Sequence, residues 1–581
     1  MRCWSSALLG ALLVVGATSH LEGQGFQGGL RGTVSDTTGV VPSVDVTITN
    51  ELTNIMRSVV SNAQGEYVFA SVDPGTYTVT TVLNGFKTVD HPGIRIGTQQ
   101  FLVMDLELGD VSALEEHITV TGQMSPIETA NASQGALFDH AALQALPFSG
   151  RAVYLAGALI PTVVWSGDPA FTRPQDQSNS SQMSMGGGSR RGNNYTLDGV
   201  PITDLLNRPV AHPTIEALED LKVQVHTYDA EMGRTGGGVF NATLRSGTNN
   251  YHGTTFFQTR PVWSQVNNYF AQKAFDVAGD PRNAKPDTAY YMAGGGFGGP
   301  IVKNKTFFFF SGENYHDLST NFVSVLLPTA AERRGDFSAL TNSSGAMVTI
   351  YDPLTHLAFP GNIIPASRIN AVAAAITKYL PLPQGDRDNG SPNFTVAAPV
   401  NNNFQQLYAV KVEHRFAEKV SLTGFYLYNR TDEPCSPYFE PGLNGANRFA
   451  DPRDGVLARR PQIVAINNTW IPSDRSALSL RFGWTQFVDT FSPTAGFDPS
   501  TLGFSSTFLN AVAQTGGPKF PLGTLSGATP GGQSFGAGNP APRTFKSRGV
   551  NGSYSRFVGT HTFKWAPTTA GLVCRVLPPA A

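Results

Sequence analysis

The sequence predicts a mainly β chain in three parts: a small N-terminal β-sandwich, a central α+β region, and a partial antiparallel transmembrane β-barrel. Three observations predict it. Short segments in which apolar and polar residues alternate recur along the chain, separated by Gly, Asn, Asp and Pro turns, as strands do. Charged residues make up 14% of 581 residues, against the roughly 25% of soluble domains, while Phe reaches 37 and Gly 61. That balance suits strands with an apolar outer face. After the first residues no apolar run approaches the length of a membrane helix, about 18 residues, so an exported chain of this kind stays in solution or crosses a membrane with strands.

Residues 1–23 read as a signal peptide: Arg2 supplies the positive start and Ala7 to Ala17 the apolar core. A net charge of -2 carries no basic excess for nucleic acid. Cys3 lies in the leader, and Cys435 and Cys574 are too far apart for a CxxC metal site or a disulfide framework.

Residues 26–110 form the expected sandwich. Val44, Val46 and Ile48 alternate with polar residues, and turns at Asn62–Gly65, Asp73-Pro74-Gly75 and Asn84-Gly85 recur at the spacing of a small sandwich. A glycine cluster organises the centre of the chain. Leu221, Val223 and Val225 alternate before it, and Val239, Asn241 and Thr243 alternate with Phe240, Ala242 and Leu244 after it. Gly236, Gly237 and Gly238 remove three consecutive Cβ atoms, so the backbone there turns sharply or lies against another backbone.

These stretches resemble one family. Ala230-Glu231-Met232-Gly233-Arg234, Gly236–Gly238, Ser246-Gly247-Thr248-Asn249 and His252-Gly253 are similar to the plug-to-barrel junction of Oar-like TonB-dependent outer-membrane transporters. Met232 stands where an aromatic is usual. Gly65-Glu66-Tyr67 followed by Pro74-Gly75-Thr76-Tyr77 resembles the carboxypeptidase-regulatory-like domain that this branch carries in front, a transthyretin/Ig-like sandwich without a peptidase site. The resemblance implies a plug domain at 123–247. There Asn194, Leu197, Asp198, Gly199, Val200, Thr203 and Asp204 match the N-x-x-LDGV-x-x-TD stretch, and Leu146-Pro147, Gly150-Arg151 and Leu155 match LP-x-x-GR-x-x-x-L. Gly233 and Arg234 complete the plug motifs.

Residues 115–122, with Ile118, Thr119, Val120 and Thr121, occupy the place of the TonB box. Its role would be β-augmentation, an extended segment lending its backbone groups to an edge strand of TonB; the alternative is a last strand of the sandwich. Arg190 and Arg191, in a glycine loop, are candidates for contacting anionic ligand groups. A solvated loop or a salt bridge to the barrel wall would use them equally well.

From 248 to 566 the chain reads as barrel. Tyr408, Val410, Val412, His414 and Phe416 share one face of a strand, and Lys411, Glu413 and Arg415 the other, apolar outward and charged inward. Ala417-Glu418-Lys419 reads as a three-residue turn to the next strand. Leu478, Leu480, Phe482 and Trp484 repeat the theme against Ser479, Arg481 and Thr485. Residues 317–400 read as a long extracellular loop, with a short helix in AVAAAITKYL ending before Pro381.

Catalytic and cofactor patterns are not found. Gly294–Gly299 contains GxGxxG but leads into a strand, not a helix N-terminus. Glu115-Glu116 and Glu219-Asp220 are adjacent, so on strands their carboxylates face opposite sides. No HExxH occurs, and neither an enzyme nor a cofactor is expected. About eight strands are legible after Gly247, where plugged outer-membrane transporters have about 22. The stretch 567–581 ends without the terminal aromatic of such barrels, so a truncation or frameshift near Trp565 is expected. The resemblance implies a receptor or transporter in the cell outer membrane, in contact with its lipid. It would be driven by TonB and take up an unidentified extracellular ligand such as an oligosaccharide, peptide or siderophore. The alternative is a surface binding or adhesion protein, or a non-transporting fragment.

Overall fold

A computed structural model describes residues 25–109, 117–119, 134–167, 181–204, 206–226, 235–279, 285, 288–319, 322–385, 388–397, 401–434, 448–452, 455–492, 496–514, 519–524, 534–536, 543–558, 561–565 and 568–576. The leader, Val120, Thr121, Gly233, Arg234 and Cys435 lie outside them.

The sandwich has two sheets. In one, Gly28–Asp36 pairs antiparallel with Glu66–Val72 and parallel with Phe101–Val103. In the other, Thr88–Ile96, Gly75–Val82, Asp45–Asn50 and Met56–Val60 pair in that order. Alternation decides what is buried. Val44, Val46 and Ile48 turn inward onto Leu30, Phe69, Val79 and Ile96, while Thr47 and Ser58 share a hydrogen bond on the solvent side.

The central region is a mixed five-stranded sheet. Gln134–Asp139, Leu218–His226, Val239–Leu244, Asn194–Leu197 and Val200–Pro201 lie side by side in that order, with Asn194–Leu197 parallel to Val239–Leu244. A short helix, His140–Ala145, is capped by the Asp139 carboxylate and adds the α component. Its core is aromatic: Tyr195 stacks on Phe240 at 4.8 Å, and Tyr154 meets Tyr195 edge-on at 5.0 Å. Such contacts add about 0.5–1.5 kcal/mol each to burial alone.

The third part is one antiparallel wall of eleven strand segments. They occupy nine positions, one more than the sequence suggests, because two strands are interrupted. Val456–Arg459 and Gln462–Ser473 both lie between Val420–Pro434 and Ser476–Ser492. Pro461, with no N–H to give to the ladder, marks the break. His561–Trp565 and Thr568–Val576 likewise share Arg543–Val558 as partner. The stretch expected as a tail after 566 therefore continues the wall: the ladder groups of Arg543–Asn551 can pair with any extended segment in register.

The wall is two-faced as its period requires. Val410, Val412, Phe416, Leu480 and Phe482 are exposed on one side, and Lys411, Phe425, Arg481 and Thr485 are buried on the other, against the central sheet. The hairpin at Glu418-Lys419 is tighter than expected, since Ala417 pairs with Val420. The wall strand Thr306–Ser319 runs three residues into the expected loop, because Asp317, Leu318 and Ser319 pair with Asn403, Asn402 and Asn401. Beyond it the loop is built, not slack. Phe322–Val325 pairs with Phe394–Ala397 at its base, and the helix Ala371–Thr377 forms where AVAAAITKYL predicts one. Tyr379 then packs on Phe449, Phe497 and Phe520 from two other loops. Among the described residues no helix is long and apolar enough to cross a membrane.

Phe69 is wholly buried between the sandwich sheets. Phe69→Ala is expected to cost about 3–5 kcal/mol of sandwich stability. Urea denaturation followed by hydrogen exchange of Glu66–Val72 should show a lower midpoint for that segment alone.

Candidate functional site

The candidate site is the central sheet with its two contacts, one to the wall and one to the sandwich. It starts at the Asp198-Gly199 turn. Both residues have left-handed φ, 46° and 75°, the geometry of the two-residue hairpin that Asp-Gly favours. The turn lies buried against the inner face of the wall. Asp198 Oδ1 accepts the Leu244 amide at 2.8 Å, and Oδ2 pairs with Lys411 Nζ at 2.9 Å. Lys411 also donates to the Leu244 carbonyl at 2.7 Å. Both side chains are buried, and Phe26 lies over the ammonium at 5.6 Å. A wall lysine thus holds both the turn and the end of a sheet strand.

The rest of the motif is structural. Asn194 Oδ1 accepts the Thr203 hydroxyl, which itself accepts the Tyr195 amide. Leu197 and Val200 fill the core. Asp204 pairs with Arg208 at 2.7 Å across its own turn. The glycine cluster does what missing Cβ atoms allow. Gly236 and Gly237 both donate to the Gly192 carbonyl at 3.1 Å, and Gly238 donates to Asn193 Oδ1 at 3.0 Å. A Cβ on Gly237 would sit 2.4 Å from Asn193 Oδ1. The loop bearing Arg190 and Arg191 is thereby laid over the hairpin end farthest from the sandwich. Arg190 is exposed and reaches Gln182 Oε1 at 3.4 Å. Arg191, at φ 60°, keeps a buried Nε without a hydrogen-bond partner among the described residues.

Arg151, from the LP-x-x-GR motif, makes a second wall contact. It bonds Glu216 at 2.5 Å, lies 4.0 Å from Glu313 and covers the Phe256 ring at 4.0 Å. Its φ of 55° turns it toward the wall.

The sandwich docks on the same end of the sheet, where Leu218 pairs with Leu244 and Asp220 with Thr243. Arg95 reaches Glu219 at 2.6 Å and Asp220 at 3.7 Å. Thr98 donates its amide to Asp220 Oδ2 at 2.9 Å and its hydroxyl to Oδ1, and Lys222 donates to the Gln99 carbonyl at 2.8 Å. The expectation that Glu219 and Asp220 face opposite sides is corrected here. The register skips Glu219 between Leu218 and Asp220, and a bulge lets two adjacent carboxylates approach one guanidinium. Full burial pushes the Asp220 carboxyl up to about 6, against the pull of the Thr98 hydrogen bonds and Arg95.

Ile118 and Thr119 lie in a three-residue strand, His117–Thr119, paired parallel to Thr88–Asp90 at the sandwich edge. This pairing is the one expected of a last strand of the sandwich, the alternative to the TonB box. Sequence reasoning placed Lys411 in the lumen but missed its partner; a lone lysine on a charged strand face gives no sign of which turn it will meet.

Residues 243–565 match the model of the outer membrane beta barrel domain, and residues 29–109 that of the carboxypeptidase regulatory-like domain. The chain is 27% identical over 282 residues to the TonB-dependent transporter Oar of Myxococcus xanthus, covering 48% of this chain and 26% of that one. Among solved structures it is similar to the outer membrane transporter YddB of Escherichia coli (TM-score 0.43, 11% identity, 74% of this chain and 47% of that one). It is also similar to a point mutant of the ferric enterobactin receptor PfeA of Pseudomonas aeruginosa (TM-score 0.40, 10% identity, 75% and 48%). The chain spans about a quarter of the curated relative and about half of these solved chains.

Two outcomes are expected. Asp198→Asn keeps an acceptor for Leu244 but strands a buried ammonium, so it should cost about 3–5 kcal/mol, most of it recovered in Asp198→Asn/Lys411→Met. Thermal melts of the three proteins check this. Asp220 binds its proton more tightly folded than unfolded, so its contribution is fully present below about pH 4 and is lost as pH rises through about 6. The stability difference between the parent and Asp220→Asn should therefore shift against the parent between pH 4 and 6 and be flat above, in urea titrations across that range.

Proposed function

The chain belongs to the outer membrane β-barrel family, and from that premise we propose that it is the plug-bearing part of a TonB-dependent receptor for active uptake. It lies in the outer membrane, is a homologue of the transporter Oar and carries a carboxypeptidase regulatory-like domain. One observation carries the uptake reading: a folded sheet fastened to the inner face of a membrane wall by the buried Asp198–Lys411 pair. A passive pore leaves its lumen open. A lumen filled by a fastened sheet passes a solute only when that sheet is moved, and moving it takes work.

In this reading residues 123–247 are the plug. Ligand meets the loops and the plug end that carries Arg190 and Arg191, whose guanidinium groups suit carboxylate, phosphate or catecholate oxygens. Ile118, Thr119, Val120 and Thr121 are the segment that TonB pairs with by β-augmentation. Asn194, Leu197, Asp198, Gly199, Gly233, Arg234 and Gly236–Gly238 shape the plug and take no part in binding. An oligosaccharide, a peptide or a siderophore fits this equally. A second reading, a surface binding protein without transport, draws on the aromatic cluster of Tyr379, Phe449, Phe497 and Phe520 that joins three loops into one outer body.

Deleting residues 116–122 is expected to abolish binding to the C-terminal domain of TonB, measured by calorimetry against the full chain. Undiminished binding by the deletion variant would remove the assignment and favour the second reading.

A further inference from the structure

A cavity opens where the sandwich, the central sheet and the wall meet. All three contribute charge to its lining. The sandwich supplies Arg57 and Asp73, the sheet Glu219, and the wall Lys411, Glu413 and Arg415. Two of these are already paired, Lys411 with Asp198 and Glu219 with Arg95. The other four form no ion pair among the described residues.

Their arrangement is the reverse of what holds two bodies together. The charge that bears most on Arg57 is Arg415, and the charge that bears most on Glu413 is Asp73. Like therefore faces like across the cavity, cation to cation and acid to acid, which opposes association. Burial and the facing Arg415 hold the Arg57 guanidinium down to about 10. Hydrogen-bonding capacity is left over on every side. Arg57 gives one N–H to the Ser71 carbonyl, and Arg415 one to the Glu418 carbonyl at 3.5 Å. Arg415 Nε is buried without a hydrogen-bond partner among the described residues, and so is Thr53 Oγ1, which also lines the cavity. Asp73 accepts from Gln27 at 2.8 Å through Oδ1, and Glu413 accepts from Ser246, so each carboxylate keeps a second oxygen.

The wall sets the spacing. Glu413 and Arg415 lie two residues apart on one face of a strand, about 7 Å at the usual rise. Two residues of extended peptide reach about the same length. The cavity, of about 90 Å³, has room for roughly six to nine groups the size of a water.

We propose that this cavity binds a zwitterion of dipeptide length. Its carboxylate would lie between Arg57 and Arg415, its ammonium between Asp73 and Glu413, and its amide beside the Thr53 hydroxyl. Such a ligand turns both repulsions into attractions, and so fastens the sandwich to the wall. The site goes beyond the uptake reading and does not rest on it. It lies at the sandwich end of the sheet, away from Arg190 and Arg191, and needs neither TonB nor a displaced sheet.

The test titrates the detergent-solubilised full chain, by calorimetry, with diglycine, N-acetyl-diglycine and diglycine amide. The parent is expected to bind diglycine and to bind each blocked form on the order of tenfold more weakly, since one charged end is lost. Arg415→Gln should lose the preference for a free carboxylate and keep the preference for a free ammonium. Glu413→Gln should do the reverse. A purely structural role for these residues would not separate the two preferences. No binding of diglycine by the parent, equal binding of the three probes, or preferences unchanged in both variants would overturn the site. If a variant does not fold, the three probes on the parent decide. Binding to TonB is measured separately, so a failure here leaves the uptake reading standing.

Discussion

The structure depends on one buried ion pair. Lys411 stands on a strand whose alternate residues face lipid, so its ammonium can point only into the lumen. There it meets Asp198, on a hairpin turn whose two left-handed residues leave the carboxylate free to project. Removing either charge strands the other in a buried place. The pair therefore fixes the height at which the central sheet sits against the wall. Leu244 is bonded by both partners, so the pair also fixes the strand that leads directly into the barrel.

Around this point three bodies share one set of polar contacts. Arg151 reaches from the sheet to the first wall strands. Arg95, Thr98 and Gln99 reach from the sandwich to the adjoining strand of the same sheet, which pairs with Thr243 and Leu244. The strand Leu218–His226 receives most of them. Thr88–Ile96 carries Arg95 at one end and pairs with His117–Thr119 at the other. One sandwich strand thus touches both the segment proposed for TonB and the sheet proposed to move. These polar contacts can be exchanged for water when a body is displaced, but they are joined by an apolar seam, since Phe425, Leu427, Ile463 and Phe487 of the wall belong to the same core cluster as the sheet.

The wall follows a different rule. Lipid offers its backbone nothing, so each strand must be paired along its length. That is why Pro461 interrupts only briefly and why Thr568–Val576 takes up the ladder beside Arg543–Asn551. Side chains then sort by face, and the faces do separate work: the inner one holds the sheet, and the outer one meets lipid.

Much of this was legible in the sequence. Alternation placed the sandwich strands, the apolar outer face of Tyr408 to Phe416 and the inward direction of Lys411, because a period of two states which side a residue takes without saying what lies there. Asp198-Gly199 announced its turn, and Gly236–Gly238 announced a close backbone approach, because φ and missing Cβ atoms are local properties. What only the tertiary structure decided was who meets whom. Asp198 and Lys411 are separated by more than two hundred residues, and no local rule links them. The bulge that brings Glu219 and Asp220 to one arginine depends on the partner strand's register. Local sequence sets direction and curvature; the long-range ladder sets neighbourhood.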